Sequence, residues 1–541
     1  MKPQDKKRKL AGTYLYFDKN KELCTGRGIL VMDKGTITDI LPYEPGQKDT
    51  IYLNNDKVIF PGLLDLHKHV EACMYPPFDD ALLLPHHWDN RLEWRLDPAY
   101  KKEFLDPNRA LMDHWFESVT GDESGLTHGT MAILYSELLA LSGGTTLQQE
   151  EEGFDKYSYL DCHRKVSLTR SSAAPEDLEA KASTNDLPIE SFLRIYMPRK
   201  RMFADDPESY LPQDTSTWGI NPLRIYGTDT TYISKILDNI KNPEMRTSRG
   251  YLIHLSEGRS ETDAHTPDPY TELEFKTFMS DIKNELEEGT ITKGNVRDAH
   301  INLIHGCGIN LQDEEVLTFL KECGIGLIWS PVSNLMLYRD TPKLYTLLGD
   351  KDINISIGAD WPPSGSKTVR EECQFAAKYI MEKEPSTDEM SMMQNILKSV
   401  TLTSSSMIGS KTLGNIAVNC AADLFILSLP DADGDKNKEI SLNEALYSFF
   451  KGDGSDIDAV YVAGRPLYGD HEIISKECSE FTKVPKKINP SAKDKYLCTE
   501  GLCTPEVFKK SFENAFPDYS PSTVATTLIS EVSTSPSYPV T

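Results

Sequence analysis

The chain has 541 residues, 39% apolar and 26% charged, with a formal net charge of −25. That length exceeds one ordinary domain and can bury a large core. The acidic balance argues against nucleic-acid or anionic-membrane partners, which call for clustered positive charge. The 10 cysteines are scattered, with no CxxC pair and no disulfide-like framework, so a reducing, cytoplasmic setting is expected. No stretch is long and apolar enough to span a bilayer, and the N-terminus lacks the apolar core of a signal peptide. Residues 1–9 form a basic arm, and its Lys6–Lys9 run reads as a solvated terminus sooner than as a nuclear address.

Residues 10–60 read as short strands: Thr13–Phe17, Gly28–Met32 and Ile37–Leu41, with Asp33-Lys34-Gly35 as a hairpin turn. From 61 to 409, strand-like runs alternate with helical patterns. The candidate strands are Ile59–His67, Gly144–Leu147, Lys165–Leu168, Phe192–Tyr196, Gly250–His254, Ile301–His305, Ile325–Trp329 and Ile353–Gly358. Between them, Asp313–Glu322 places Val316, Leu317, Phe319 and Leu320 on one helical face. Parallel strands with helices between them predict an α/β fold of the (β/α)8 TIM-barrel type, with its chemistry at the C-terminal strand ends. Residues 410–472 return to β texture in Ala422–Leu427 and Ala459–Tyr468. Residues 473–541 read as an irregular to disordered tail, with one amphipathic helix at Pro505–Phe516 and a Ser/Thr/Pro-rich end from Pro517.

Four of the predicted strands end in metal-compatible or titratable groups. His67 and His69 close the first, and residues two apart on a strand face the same side, leaving Lys68 to point away. His254 closes another, with Glu257 three residues on. His305 closes Ile301–His305, and Asp360 follows Ile355-Ser356-Ile357-Gly358-Ala359. Each has an ordinary reading, the histidines as hydrogen-bonded structural groups and the aspartate as a helix cap. Their joint occurrence at ends that a barrel would gather into one mouth favours a shared site.

Together, Pro61–His69, Gly144-Thr145-Thr146, His254-Leu255-Ser256-Glu257, Ile304-His305-Gly306, Ser330–Leu335 and Gly358-Ala359-Asp360-Trp361 resemble the amidohydrolase superfamily, in its mononuclear deaminase and chlorohydrolase-like branch. Leu413-Gly414-Asn415-Ile416 with Ala422-Asp423-Leu424 is similar to that family's return to a β-sandwich. The resemblance runs from about residue 10 to 470. It implies a distorted barrel with a small β-sandwich built from both flanks. It also implies that His67, His69, His254 and Asp360 hold one divalent metal ion, Zn²⁺ first, with Fe²⁺ and Mn²⁺ as alternatives. Asp360 would accept a proton from a water activated at the metal and attacking as hydroxide, Glu257 would pass a proton to the substrate nitrogen, and His305 would bind or polarise the substrate. No lysine on a middle strand offers the bridge of the binuclear branches, which favours a single metal.

Other signals are weaker. His86-His87-Trp88 and Arg91–Arg95 would line the pocket, pack a loop or form a subunit contact. Neither Ser333-Asn334 nor Trp361–Ser366 is given a role, although both should lie near the mouth. Asp431–Asp435 alternates acids as a calcium loop does, but Lys436 and Leu442 stand where Gly and Glu are needed. His114, His128, His163, His265, His300 and His471 lack matching partners. The expected function is hydrolysis of a non-peptide C–N bond in a small molecule, deamination of a heterocyclic amine first. Hydrolysis of a cyclic or linear amide at the same site is the nearest rival. From another class come a non-catalytic scaffold retaining the fold and a structural oligomer with incidental metal; homo-oligomerisation stays open in every case.

Overall fold

The computed structural model describes residues 7–69, 73, 88–100, 128–148, 236–238, 240–242, 251–260, 268–429, 440–486, 488 and 493–499. The candidate strands Lys165–Leu168 and Phe192–Tyr196, His86-His87, the acidic loop Asp431–Asp435 and the Ser/Thr/Pro-rich end lie outside them.

β1 (Arg8–Phe17) pairs antiparallel with β2 (Leu23–Asp33) along its whole length, from Arg8↔Met32 to Phe17↔Leu23. The turn from β2 into β3 (Thr36–Pro42) has Lys34 and Gly35 at φ 48° and 84°. Two consecutive positive φ values match the twist of a two-residue hairpin, as the Asp33-Lys34-Gly35 signal predicts. β4 (Ile51–Tyr52) and β5 (Lys57–Pro61) lie parallel to β1.

Strands from the far end of the chain then continue the same sheet. β12 (Leu424–Ser428) pairs antiparallel with β5, from Leu424↔Pro61 to Ser428↔Lys57. β13 (Ile457–Val462) and β14 (Arg465–Gly469) follow, joined by a turn with Ala463 and Gly464 at positive φ. β15 (Phe481–Lys483) and β16 (Tyr496–Cys498) complete one ten-stranded sheet in the order β15-β16-β14-β13-β12-β5-β1-β2-β3, with β4 on β1. Both flanks therefore feed a single continuous sheet, where a sandwich of two sheets was expected.

That sheet also reaches past Glu472, where sequence periodicity weakens and irregular structure was expected. Short amphipathic strands at 481–483 and 496–498 carry too few residues to show a period. A disulfide joins Cys478 to Cys498, against the expectation that no cysteines pair. Their separation of 20 residues is no sequence signal; the pairing of β15 with β16, which sets Phe481 opposite Cys498, brings them together.

β6 (Leu63–Asp65) and β7 (Thr145–Gln148) pair parallel. β8 (Tyr251–Leu255), β9 (Ile301–His305), β10 (Gly326–Trp329) and β11 (Ile355–Ile357) form a second parallel sheet in chain order. A parallel bridge between Lys68 and Asp360 joins the two, with the Asp360 N–H donating to the His67 carbonyl at 2.8 Å. The result is an arc β7-β6-β11-β10-β9-β8 of the TIM-barrel type. Among the described residues it does not close into a barrel.

The run read as one strand, Ile59–His67, is two strands in two sheets, divided at Gly62. The Gly62 N–H donates to Asp423 in the large sheet, whereas the Leu63 N–H donates to Gly144 beside β7. A Cβ on Gly62 would sit 2.2 Å from Thr146 Oγ1, so only glycine allows the crossing. The apolar run hid this break because both halves are buried on both faces.

The predicted helix at 313–322 forms as Glu314–Cys323. Asp313 caps it by accepting from the Glu315 N–H, and Gly324 ends it at φ 65°. Val316, Phe319 and Leu320 face the core. Helix Val369–Lys383 ties the barrel strands to the large sheet. Its buried Arg370 donates through both terminal nitrogens to Asp456 at 2.7 Å, and to the Ser448 and Phe449 carbonyls of helix Leu442–Lys451. No described helix is long and apolar enough to cross a membrane.

Candidate metal centre

The ends of β6, β8, β9 and β11 bring His67, His69, His254, His305 and Asp360 together, although they span almost 300 positions of sequence. His67 Nε2 lies 3.0 Å from His254 Nε2 and 3.2 Å from Asp360 Oδ1, and His69 Nε2 lies 3.3 Å from the same Oδ1. His305 packs edge-on to His67, with ring centroids 4.8 Å apart. His67, His254, His305 and Asp360 are buried, and His69 is partly exposed. His67 and His69 stand just beyond β6, on either side of Lys68, which bridges to Asp360. The alternation predicted for them is visible: their rings lie 5.4 Å apart, while Lys68 turns away to donate to the carbonyls of Ser366 and Lys367 at 3.1 and 3.0 Å.

Three non-glycine residues at these strand ends, Ser256, His305 and Asp360, take left-handed φ values of 57°, 69° and 58°. Such backbone is costly for a residue with a Cβ and persists only where the surroundings over-determine it. Here a neighbouring strand end and a helix do so. The Asp360 N–H is tied to His67, and the Ser256 N–H donates to the buried Glu274 carboxylate at 2.7 Å.

Comparison with known proteins supports the same reading. Residues 257–467 match the amidohydrolase family. That match covers less than half of the chain. The chain is 21% identical to a 5-methylthioadenosine/S-adenosylhomocysteine deaminase of Caldicellulosiruptor saccharolyticus, across 85% of its own length and 93% of that protein. It is 26% identical to a 5'-deoxyadenosine deaminase of Methanopyrus kandleri, across 84% and 92%. Against a Caldanaerobacter subterraneus relative of the first kind, at 27% identity, it spans only about half of that protein, 53%. Among solved structures, guanine deaminase from Bradyrhizobium japonicum aligns with TM-score 0.51 at 17% identity, over 86% of this chain and 99% of that one. A mutant atrazine chlorohydrolase from Arthrobacter aurescens, complexed with zinc and atraton, aligns with TM-score 0.52 at 14% identity, over 85% and 94%. These likenesses are of fold. The match to the family model and the zinc held by that solved neighbour imply a divalent metal ion.

The residues present fit such an ion. A tetrahedral centre with bonds of about 2.0–2.1 Å separates its ligand atoms by roughly 3.3 Å, and the three contacts of 3.0–3.3 Å meet that spacing. Protonation fits too. Burial drives the His67 imidazole well below its ordinary pKa, outweighing the pull of Asp360, so it is neutral. Burial would raise the Asp360 carboxyl, but His67 and His69 outweigh it and hold the group well below the usual carboxylate value. Neutral imidazole beside ionised carboxylate is the donor set that a divalent cation requires.

Residues given no role by sequence reasoning orient these groups. Ser330 Oγ lies 2.6 Å from His67 Nδ1, which aims Nε2 at the cluster. His305 Nδ1 donates to Asn334 Oδ1 at 2.8 Å, and Asn334 in turn donates to Thr341. Asp65 accepts from the backbone N–H groups of His67 and Ala359, locking β6 to the chain beyond β11, and burial pushes its carboxyl up to about 6. The Ser-Pro-x-Ser-Asn signal was visible in the sequence, but the contacts made by Ser330 and Asn334 were not.

Glu257 sits at the rim. Its Oε1 accepts from the Tyr338 hydroxyl at 2.6 Å, while Oε2 stands 3.8 Å from His305 Nε2 and 3.9 Å from Arg91 Nη1. Trp361 packs beside His69 and Trp94, at 6.2 Å from each ring, and its indole donates to Ser364 Oγ. Among the described residues, neither His300 nor His471 joins a metal-competent cluster.

Proposed function

We propose that the chain is an amidohydrolase that hydrolyses a non-peptide C–N bond, deaminating a heterocyclic amine, with an aminopurine nucleoside first among candidates. The observation that carries this is the approach of His67, His69, His254 and Asp360 through contacts of 3.0–3.3 Å, with His305 grouped beside His67 and Asp360 and with Glu257 at the rim. His67, His69, His254 and Asp360 would hold one ion, Zn²⁺ by the mixed imidazole and carboxylate donors. When bound, such an ion supplies a water whose pKa falls to about 7.

The chain's own groups divide the remaining work. Asp360, kept ionised, accepts the proton that the attacking water sheds. Glu257 carries a proton to the ring nitrogen next to the carbon under attack and returns one to the departing amine. His305, with Nδ1–H committed to Asn334, faces the site with the Nε2 lone pair when neutral. Burial lowers its pKa, so it accepts a hydrogen bond from substrate N–H or O–H. The carbon becomes tetrahedral, the C–N bond breaks, and ammonia leaves as the carbonyl forms. The deaminase names of the relatives support this choice over amide hydrolysis.

The same proposal includes closure of the arc into an eight-stranded (β/α)8 barrel over 61–409, the missing strands being Lys165–Leu168 and Phe192–Tyr196. The two flanks, 10–60 and 410–472, form the core of the second domain. A cytoplasmic setting belongs with it; recovery of the protein from intact cells with Cys478 and Cys498 bridged would count against that part. The test of function is ammonia release by the zinc-reconstituted chain across adenosine derivatives, guanine and triazines. Ring opening without ammonia would move the assignment to amide hydrolysis, and no turnover of any amine or amide heterocycle would end it.

A further inference from the structure

We propose that Tyr338 is a positioning residue for Glu257, and that Trp94 fixes Tyr338 in that task. The inference rests on the reading of Glu257 as the proton carrier. Tyr338 is the last residue of helix Pro331–Tyr338 and is buried, with 3% of its surface exposed; Trp94 is 6% exposed. The Trp94 indole Nε1 lies 2.8 Å from the Tyr338 oxygen, which lies 2.6 Å from Glu257 Oε1.

Chemistry gives this chain of bonds one direction. An indole N–H can only donate, so the phenol oxygen accepts from Trp94. The phenol has a single hydrogen, and the remaining partner is the carboxylate, so that hydrogen points at Glu257. Burial, with the adjacent Glu257 charge, pushes the phenol well above its ordinary pKa, so it keeps the hydrogen at neutral pH. One carboxylate oxygen is thereby fixed. The other, Oε2, stands beyond hydrogen-bond length from both His305 and Arg91, and is the oxygen turned to the reaction.

Trp94 is itself held against the strand end that carries Glu257. The Arg91 N–H donates to the Glu257 carbonyl at 3.2 Å, Asn90 forms an antiparallel bridge with Gly258, and the Arg259 N–H donates to Asp89 at 2.7 Å. Helix Arg91–Leu96 thus reaches Glu257 twice, through backbone and through the Trp94–Tyr338 relay. A proton carrier must hold its geometry while its charge changes, and a donor fixed from behind provides that.

The test uses the full chain loaded with zinc and the heterocycle that releases ammonia best. Tyr338→Phe keeps the ring and removes the hydroxyl. Hydrogen bonds to charged groups are worth about 1.5–3 kcal/mol, so kcat should fall about 10- to 100-fold with KM within about twofold and metal content retained. Trp94→Phe should cost less, and nothing further in the Tyr338→Phe background, because Trp94 acts through Tyr338. In metal-free protein, the Trp94 indole proton resonance, assigned by its loss in Trp94→Phe, should shift upfield in Tyr338→Phe. Unchanged kcat in Tyr338→Phe, a change in KM alone, a lowered Tm with normal kcat, or losses that multiply in the double variant would each overturn the proposal. Glu257→Gln separates it from the underlying reading. Full activity in that variant removes Glu257 as the proton carrier; loss of about 10²- to 10⁴-fold with Tyr338→Phe unaffected removes only the role of Tyr338.

Discussion

The ten-stranded sheet and the parallel arc place the same backbone conformation in opposite surroundings. In the sheet, left-handed non-glycine residues occupy turns open to solvent, such as Lys21 at φ 63° and Lys34 at φ 48°, both exposed. At the C-terminal ends of the arc's strands they are Ser256, His305 and Asp360, all buried. A turn residue can take such a shape with its polar groups in water. A buried one needs every polar group met by the protein, and around the arc's strand ends those partners are carboxylates, imidazoles and hydroxyls. The sheet is stabilised by regular pairing and apolar contact, as where Phe60 and Phe425 stack at 5.0 Å. The strand ends are built for chemistry, and the rest of the fold holds them in place.

Four substitutions test that contrast, from the greatest expected effect to the least. His254→Ala, or chelation of the wild-type chain, should abolish turnover and bound metal, measured by metal analysis and ammonia release, while the sheet stays folded by circular dichroism. Retained metal with His254 gone would break the contrast at its root. Arg370→Ala removes the buried guanidinium that joins the arc to the sheet and strands Asp456; breaking a buried pair costs about 3–5 kcal/mol. Denaturant unfolding should register that loss, with turnover per folded molecule near wild type. Ser330→Ala leaves the fold intact but frees the His67 ring, and loss of such an outer partner lowers metal affinity about 10- to 100-fold, readable by competition with a fluorescent chelator. Last, Ser441→Ala removes the N-cap of helix Leu442–Lys451 on the sheet side, where Ser441 accepts from the Glu444 N–H. It should cost about 1 kcal/mol of stability, read as a lowered Tm, and change neither metal binding nor turnover.

The proposed ligands were legible because each closes an apolar run: His67 and His69 after Leu63–Leu66, His254 after Tyr251–Ile253, Asp360 after Ile355–Ala359. A short strand advertises its end by the change from apolar to polar, and parallel strands align such ends. Trp94 and Tyr338 were not legible as partners. They lie 244 positions apart, and an aromatic residue within a short helix or at a helix end carries no mark of what its polar atom will meet. Gly62 was hidden for a different reason: a run buried on both faces shows neither period nor break.

By itself the sequence determined which chemistry-bearing side chains terminate the strands, since local apolar patterning sets where each strand stops. Only the tertiary structure decided what those groups touch: that Ser330 turns the His67 ring, that Tyr338 takes one oxygen of Glu257, and that chain past Glu472 adds strands to a sheet begun at Arg8. Strand ends follow from neighbours in sequence, whereas hydrogen-bond partners depend on angles and ångströms that exist only once distant segments have packed.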